Sequence, residues 1–298
     1  MTDAARRRTQ ARLTVGIVSR TFYYVPLWSA MRQRRFSAAG LQVRVEILGH
    51  DDPVEAMRAG RCDIAISPPD SVLRDVDSGG ASVILAGNAD RLSHRLVSQP
   101  EFDSVEALRG RRIGVLSRTE GSFFHFQLLA EAHGLRFPEE FEVVETGGAP
   151  LRHRLLLDRQ IDAGLQSFPW VYLEEAAGLR KLCDVSDFVP VWQFNTVNAE
   201  RRWAQQHADL TAAFLEVLGE ASEDFYVEPD AMSDIAAQEM GVPHAQALRA
   251  WHDLVGGRCI TRDLAVNLDG LQRVHASLAR AGLALPGVAD MSRYLMFP

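Results

Sequence analysis

Two six-residue runs, GIVSRT at Gly16 to Thr21 and GVLSRT at Gly114 to Thr119, differ at only two apolar positions. Self-similarity of this kind constrains a fold more than any single motif, because both copies must form the same supersecondary unit. In each copy the run completes a short β-branched stretch and gives way to a helical pattern, PLWSAMRQRRFSAAGL or SFFHFQLLAEAHGL, that stops at a glycine, Gly40 or Gly134, followed by leucine. A second strand follows, VRVEIL from Val43 or FEVVET from Phe141, then a short amphipathic helix, DDPVEAMRAG or APLRHRLLLDRQ. The third strands, CDIAIS (Cys62 to Ser67) and IDAGLQS (Ile161 to Ser167), both run into proline-containing loops, SPPDS and SFPW. Two βαβαβ units require parallel strands with helices on both faces.

Between the copies, VILAGNADRLSHRLVSQPEF reads as a strand and a second extended segment around Arg95 to Gln99, which carries the chain from one lobe to the other. After the second copy, LCDVSDFVPVWQFNTVNAERRWAQQH suits a return crossing. The last hundred or so residues show four helical patterns with Pro or Gly breaks. The expected division is residues 12–95 and 197–298 in lobe 1 and 96–196 in lobe 2. Crossings are expected near 95–98 and 192–198, with the helical tail mainly on lobe 1.

Composition fits such a chain and excludes several chemistries. The 298 residues are 47% hydrophobic and 24% charged, enough for roughly two domains of ordinary size. Lys181 is the one lysine, and it lies outside any Gly-rich loop, which excludes a Walker A phosphate loop and argues against a Schiff-base enzyme. The net charge is -7 with dispersed arginines, so nucleic acid is not an expected partner. The basic group Arg6, Arg7, Arg8 and Arg12 reads as a solvated tail. Cys62, Cys183 and Cys259 are far apart, with no CxxC pair, so neither a disulfide framework nor a metal site is expected. The first apolar stretch, LTVGIVS, is too short for an export signal or a membrane helix. A cytoplasmic location is the expectation for the sequence as written, and a periplasmic one if a signal has been removed; no membrane insertion is expected.

The opening strand with YYVPLW and AAGLQVRVEI, the block SVEALRGRRIGVLSRTEGS, the segment QIDAGLQSFPWVYLEEAAG and the tail from ERRWAQQHADL to AAQEMGV, in that order, resemble the SsuA/THI5 (NMT1-like) family. The resemblance spans nearly the whole chain. It implies an α/β, two-lobed type II periplasmic-binding-protein fold, each lobe a mainly parallel sheet flanked by helices, with the ligand cleft between lobes. Ligands in this group are sulfonates, nitrate-type anions or pyrimidine precursors, and an ABC permease is the implied partner.

The strand pattern points to the same cleft, because the carboxyl ends of parallel strands and the loops after them share one edge. Those loops offer Ser19, Arg20, Tyr23 and Tyr24 after the first strand, and Ser67, Asp70 and Ser71 in SPPDS. They also offer Ser117, Arg118, Thr119, Ser122 and Phe123 around SRTEGS, Ser167 and Trp170 in SFPW, and Asn195 at the return crossing. The helix start after SRTEGS suits an anion, with Arg118 and the hydroxyls of Ser117, Thr119 and Ser122 completing the pocket. The competing reading has Thr119 or Ser122 as a cap and Arg118 in solvent or against Glu120. Asp70 would accept a donor from an amine or hydroxyl of the ligand, or else cap the helix that starts at Ser71. About half of the loop aromatics are expected to touch ligand, Tyr23, Tyr24 and Trp170 foremost, favouring a flat molecule with one acidic group.

The leading functional expectation is reversible binding of a small organic anion, an aromatic carboxylate or sulfonate, without a cofactor. The alternative is a decarboxylase- or desulfinase-like lyase on the same fold, with His50 or His125 as proton donor. His50 stands beside Asp51 and Asp52, where helix capping at Pro53 is the favoured role of the segment, and His125 reads first as a buried helical residue. The resemblance to the desulfinase would ask for a cysteine in the loop after the first strand, and the pyrimidine synthase for a cysteine-rich motif; neither is present.

Overall fold

The computed structural model of the protein describes residues 10–287 and 290–297; Arg6, Arg7 and Arg8 lie outside the described residues. In chain order the strands are β1 (Ala11–Ile17), β2 (Leu41–Ile47), β3 (Ile64–Ser67), β4 (Ser82–Ala89) and β5 (Arg95–Ser98), then β6 (Arg112–Val115), β7 (Glu142–Glu145), β8 (Ala163–Gln166), β9 (Arg180–Asp184) and β10 (Asn195–Glu200). They form two five-stranded sheets of matching topology, β2-β1-β3-β10-β4 and β7-β6-β8-β5-β9. In each sheet the βαβαβ unit supplies the three parallel strands. The fourth position is antiparallel to both its neighbours and is filled by a strand from the other half of the chain. Thus β5 inserts into the second sheet and β10 into the first, while four of the five strands in each sheet run one way.

Local sequence explains the strand positions. The central strands β3 (IAIS) and β8 (AGLQ) are buried at every residue, as strands covered on both faces are, whereas the edge strand β2 (LQVRVEI) alternates. The helices are α1 (Val25–Arg32), α2 (Arg35–Ala38), α3 (Pro53–Arg58), α4 (Asp70–Asp77), α5 (Gly121–Ala132), α6 (Ala149–Leu157) and α7 (Trp170–Ala176), followed by α8 (Arg201–Gln206), α9 (Ala208–Phe225), α10 (Pro229–Met240), α11 (His244–Gly256) and α12 (Leu268–Arg280). In the tail, α9 and α10 pack on α1, and α12 packs on α4. One hydrophobic cluster joins β1, β3 and β4 to α1 and α9–α11, and a second joins β6–β8 and α5 to α4 and α12. Among the described residues no helix is long and apolar enough to cross a membrane.

Candidate ligand-binding site

Between the carboxyl ends of the two sets of parallel strands lie two adjoining cavities that share Val18, Pro68, Leu116 and Glu120 in their walls. The first, about 60 Å³, is walled by Tyr23, Tyr24, His94, Arg152 and Phe194 together with Ser19, Ser122, Ser167 and Asn195. The second, about 270 Å³, is walled by Asp70, Ser71, Ser117, Thr119 and the segment from Gly49 to Pro53. A larger open depression near Tyr226 and Arg262 involves none of the loops after the parallel strands. The two sides approach closely at the first cavity: a Cβ on Gly148, at the start of α6, would lie 2.7 Å from Ser19.

Arg152 is the cation of the first cavity, and two glycines make room for it. Gly114 of β6 and Gly164 of β8 are direct partners in the sheet. A Cβ on Gly164 would stand 2.9 Å from Arg152 Cδ, and one on Gly114 would stand 3.2 Å from it. Glycine at adjacent strand positions marks a close approach of this kind. Arg152 is 3% exposed; its Nε donates to the Leu165 carbonyl at 2.9 Å and its Nη1 to the Gly147 carbonyl at 2.9 Å. It forms no salt bridge among the described residues. Burial lowers its pKa to about 10, against the longer-range attraction of Glu120 and Glu174.

The start of α5 has already taken a carboxylate from the protein itself. Glu120 caps the helix: its side chain accepts the Ser122 backbone N–H at 3.2 Å, the Ser122 hydroxyl and, at 3.4 Å, the Ser117 N–H. Burial raises the Glu120 pKa, and these hydrogen bonds oppose the rise. The cap is therefore Glu120 rather than Thr119 or Ser122, and the amide donors expected to receive a ligand anion are engaged.

The other expected residues divide by location. Ser19, Tyr23, Tyr24, Ser122, Ser167 and Asn195 meet at the first cavity. There Ser167 Oγ and Asn195 Oδ1 are buried without a protein partner among the described residues. Tyr23 and Phe194 pack with ring centres 4.6 Å apart. Asp70, Ser71, Ser117, Thr119 and His50 line the second cavity. Asp52 caps α3, accepting from Val54 N–H at 2.9 Å, and His50 is 83% exposed.

Six expected residues line neither cavity. Arg118 turns outward, donating to the Val143 carbonyl at 3.0 Å with Glu145 at 3.5 Å, because the edge strand β7 offers a carbonyl and a carboxylate nearer than the cleft. Arg20 pairs with Glu239 of α10. Ser67 is held inside the first sheet, accepting from Asn198 Nδ2 at 3.1 Å. Phe123 packs against Phe124 and Phe137, and Trp170 against His153. Of the loop aromatics only Tyr23, Tyr24 and Phe194 line the first cavity, fewer than the expected half; Phe22, Trp28, Phe124, Phe168 and Trp192 are core. His125 is fully buried behind that wall, its ring 4.6 Å from that of Trp192, and burial and His94 hold it neutral by lowering its pKa. Burial and Arg152 likewise lower the pKa of His94 to about 3.

Three residues of the first cavity were not expected from the sequence: Arg152, Glu120 as a cap, and His94. The legible sign of Arg152 was a glycine in each of two neighbouring strands; α6 itself misleads, because it buries Arg152 and leaves Leu151 and Leu157 exposed. His94 carries no comparable signal.

Comparison with known proteins finds that residues 21–232 match the family model described as NMT1/THI5 like. A "putative binding protein" of Brucella abortus is 25% identical over 241 residues, 80% of this chain and 71% of that protein. The alkanesulfonate-binding protein SsuA of Xanthomonas axonopodis pv. citri, solved with MOPS, superposes with a TM-score of 0.79 at 16% identity over 97% of this chain and 99% of that one. A ligand-binding component of an ABC-type import system from Staphylococcus aureus, solved with zinc, gives 0.81 at 13% identity over 97% of each chain. Among the described residues no group of three or more His, Cys, Asp or Glu could hold a metal ion.

Proposed function

We propose, from the premise that the chain belongs to the NMT1/THI5-like family and has the periplasmic-binding-protein fold, that it is a binding protein whose two halves close on a small organic anion. The class is an aromatic carboxylate or sulfonate. The observation that carries this reading is Arg152: a buried guanidinium on the cavity wall with no salt bridge among the described residues. A buried cation without a directly paired carboxylate is costly, and an acid group offers it paired oxygen acceptors. Tyr23, Tyr24 and Phe194 supply a flat wall beside it. The names of the structural relatives, an alkanesulfonate-binding protein and a component of an ABC-type import system, support a sulfonate group on the ligand and an ABC permease as partner. Import also favours the periplasmic location over the cytoplasmic one, which fractionation of the native cells decides.

Binding is favoured over proton transfer because His125 sits behind the cavity wall in neutral form and His50 lies exposed at the rim of the second cavity. The test is a thermal-shift panel of benzoate and benzenesulfonate against their neutral amides. Saturation at about a hundred times the dissociation constant adds roughly 2.7 kcal/mol. Arg152→Gln should cost the best acid about a hundredfold in affinity, as loss of a buried charge pair does, whereas Arg118→Ala, at an exposed pair, should change it by less than about threefold. Better stabilisation by the neutral amides, or full affinity in Arg152→Gln, would sink the proposal, and carbon dioxide release from the bound acid would replace it with the lyase reading.

A further inference from the structure

The second cavity is richer in carboxylates than the first. Its walls carry Asp51, Asp52, Asp70, Glu120 and Glu145, with Arg74 and His50 beside them. Three of these have cations of their own: Asp51 has Arg61, Asp52 has Arg74 at 2.6 Å, and Glu145 has Arg118. Glu120 is satisfied by the amides and hydroxyl of its own loop. Asp70 alone has nothing: it is 2% exposed, and neither carboxyl oxygen has a hydrogen-bond partner among the described residues. The adjacent Ser71 hydroxyl, 6% exposed, is also unpartnered. The amides that begin α3 and α5 are occupied by Asp52 and Glu120, and the start of α4, which has no side-chain cap, carries the Asp70 carboxyl itself in its first turn.

We propose that Asp70 and Ser71 form a second subsite that receives an ammonium group, carried by the same ligand whose acid group Arg152 holds, so that the preferred ligand is an amino-substituted acid. The inference rests on the anion reading of the first cavity and narrows its ligand class. The two cavities adjoin, with Val18, Pro68, Leu116 and Glu120 in the walls of both, which puts the two subsites within one cleft. Burial, then repulsion from Glu120, pushes the Asp70 carboxyl up to about 8; Arg74 opposes the rise and Asp52 adds to it. The empty site is therefore mostly protonated at neutral pH. An arriving ammonium favours the ionised carboxylate, and the displaced proton leaves to solvent.

The experiment is calorimetry at pH 7 with matched probes: 4-(aminomethyl)benzoate against 4-ethylbenzoate, and the corresponding benzenesulfonates, in buffers of differing ionisation enthalpy. The amino member should bind about tenfold tighter or better, with net proton release that the ethyl member lacks. Asp70→Asn should erase both differences between the members of each pair. The wild-type comparison stands even if the variant fails to fold. Ethyl acids that bind as well as amino acids of the pair overturn this inference and leave the anion reading intact. A 4-(hydroxymethyl)benzoate that outbinds the amine overturns the ammonium assignment, and failure of every acid to bind overturns both readings.

Discussion

Asp70 is a buried carboxyl with no hydrogen-bond partner among the described residues, and its titration has a definite sign. In the unfolded chain its carboxyl ionises near 4, whereas in the fold it holds its proton to about 8. Between these values the folded state carries the extra proton, so stability falls as pH rises, by at most about 1.4 kcal/mol per unit, and levels off beyond 8. His94 and His125 act in the opposite sense but only below about 6.5, since both are held neutral in the fold and protonate when unfolded. The interval from pH 7 to 8 excludes the histidines, while Glu174, raised to about 7 by burial, adds a smaller loss of the same sign. Urea unfolding should show Asp70 contributing a loss of up to about 1 kcal/mol across it, and Asp70→Asn should decline less steeply there; an equal decline in the variant would assign the loss elsewhere. At this scale the sequence singled out Asp70 by its place in SPPDS, but the same logic chose Arg118 over Arg152. Loop position ranks residues by access to a cleft, and it says nothing of a carbonyl on a neighbouring strand that captures a side chain first.

Among the elements, α5 is the one whose end decides what the cleft accepts. Ser, Thr and Asp are the favoured N-caps, so SRTEGS announced a helix start legibly while pointing to the wrong cap. Glu120 wins because its longer side chain reaches back to Ser122 N–H and Ser117 N–H at once, a convergence that depends on the turn's three-dimensional path. Removing that carboxylate frees the donors. Glu120→Ala should cost about 1 kcal/mol of stability through the lost cap. It should also create saturable stabilisation by inorganic sulfate that the wild-type protein lacks, because an uncapped helix start attracts anions. Melting curves across a sulfate series, with chloride at matched ionic strength as reference, check both effects. A variant as indifferent to sulfate as the wild type would show that the α5 amides are not poised for an anion at all.

For the whole molecule, the repeated GIVSRT and GVLSRT runs made the two parallel three-stranded cores legible, but not the exchange of β5 and β10, because antiparallel insertion into a distant sheet leaves no local pattern. That exchange ties the halves together at the base of the cleft, and a charged cluster ties them again. Arg95 of β5 donates to Asp184 at 2.9 Å within its own sheet and to Asp253 of α11 at 3.1 Å. The Tyr172 hydroxyl of α7 also donates to Asp253, and Arg249 of α11 pairs with Glu175 at 3.1 Å while lying 3.9 Å from the Tyr172 ring centre. Since α11 packs with the first sheet's cluster, these contacts join the tail to the second sheet. On the proposed function the halves part to admit ligand, and contacts that hold them together add to affinity only in proportion to the closed population they favour. Asp253→Ala should therefore enlarge the ligand-free radius of gyration in small-angle scattering and weaken acid binding by about three- to tenfold. At saturating ligand the variant and wild-type curves should coincide, since bound ligand restores closure. If the variant instead scatters like the wild type when empty yet still binds more weakly, the cluster shapes the site directly and does not govern closure.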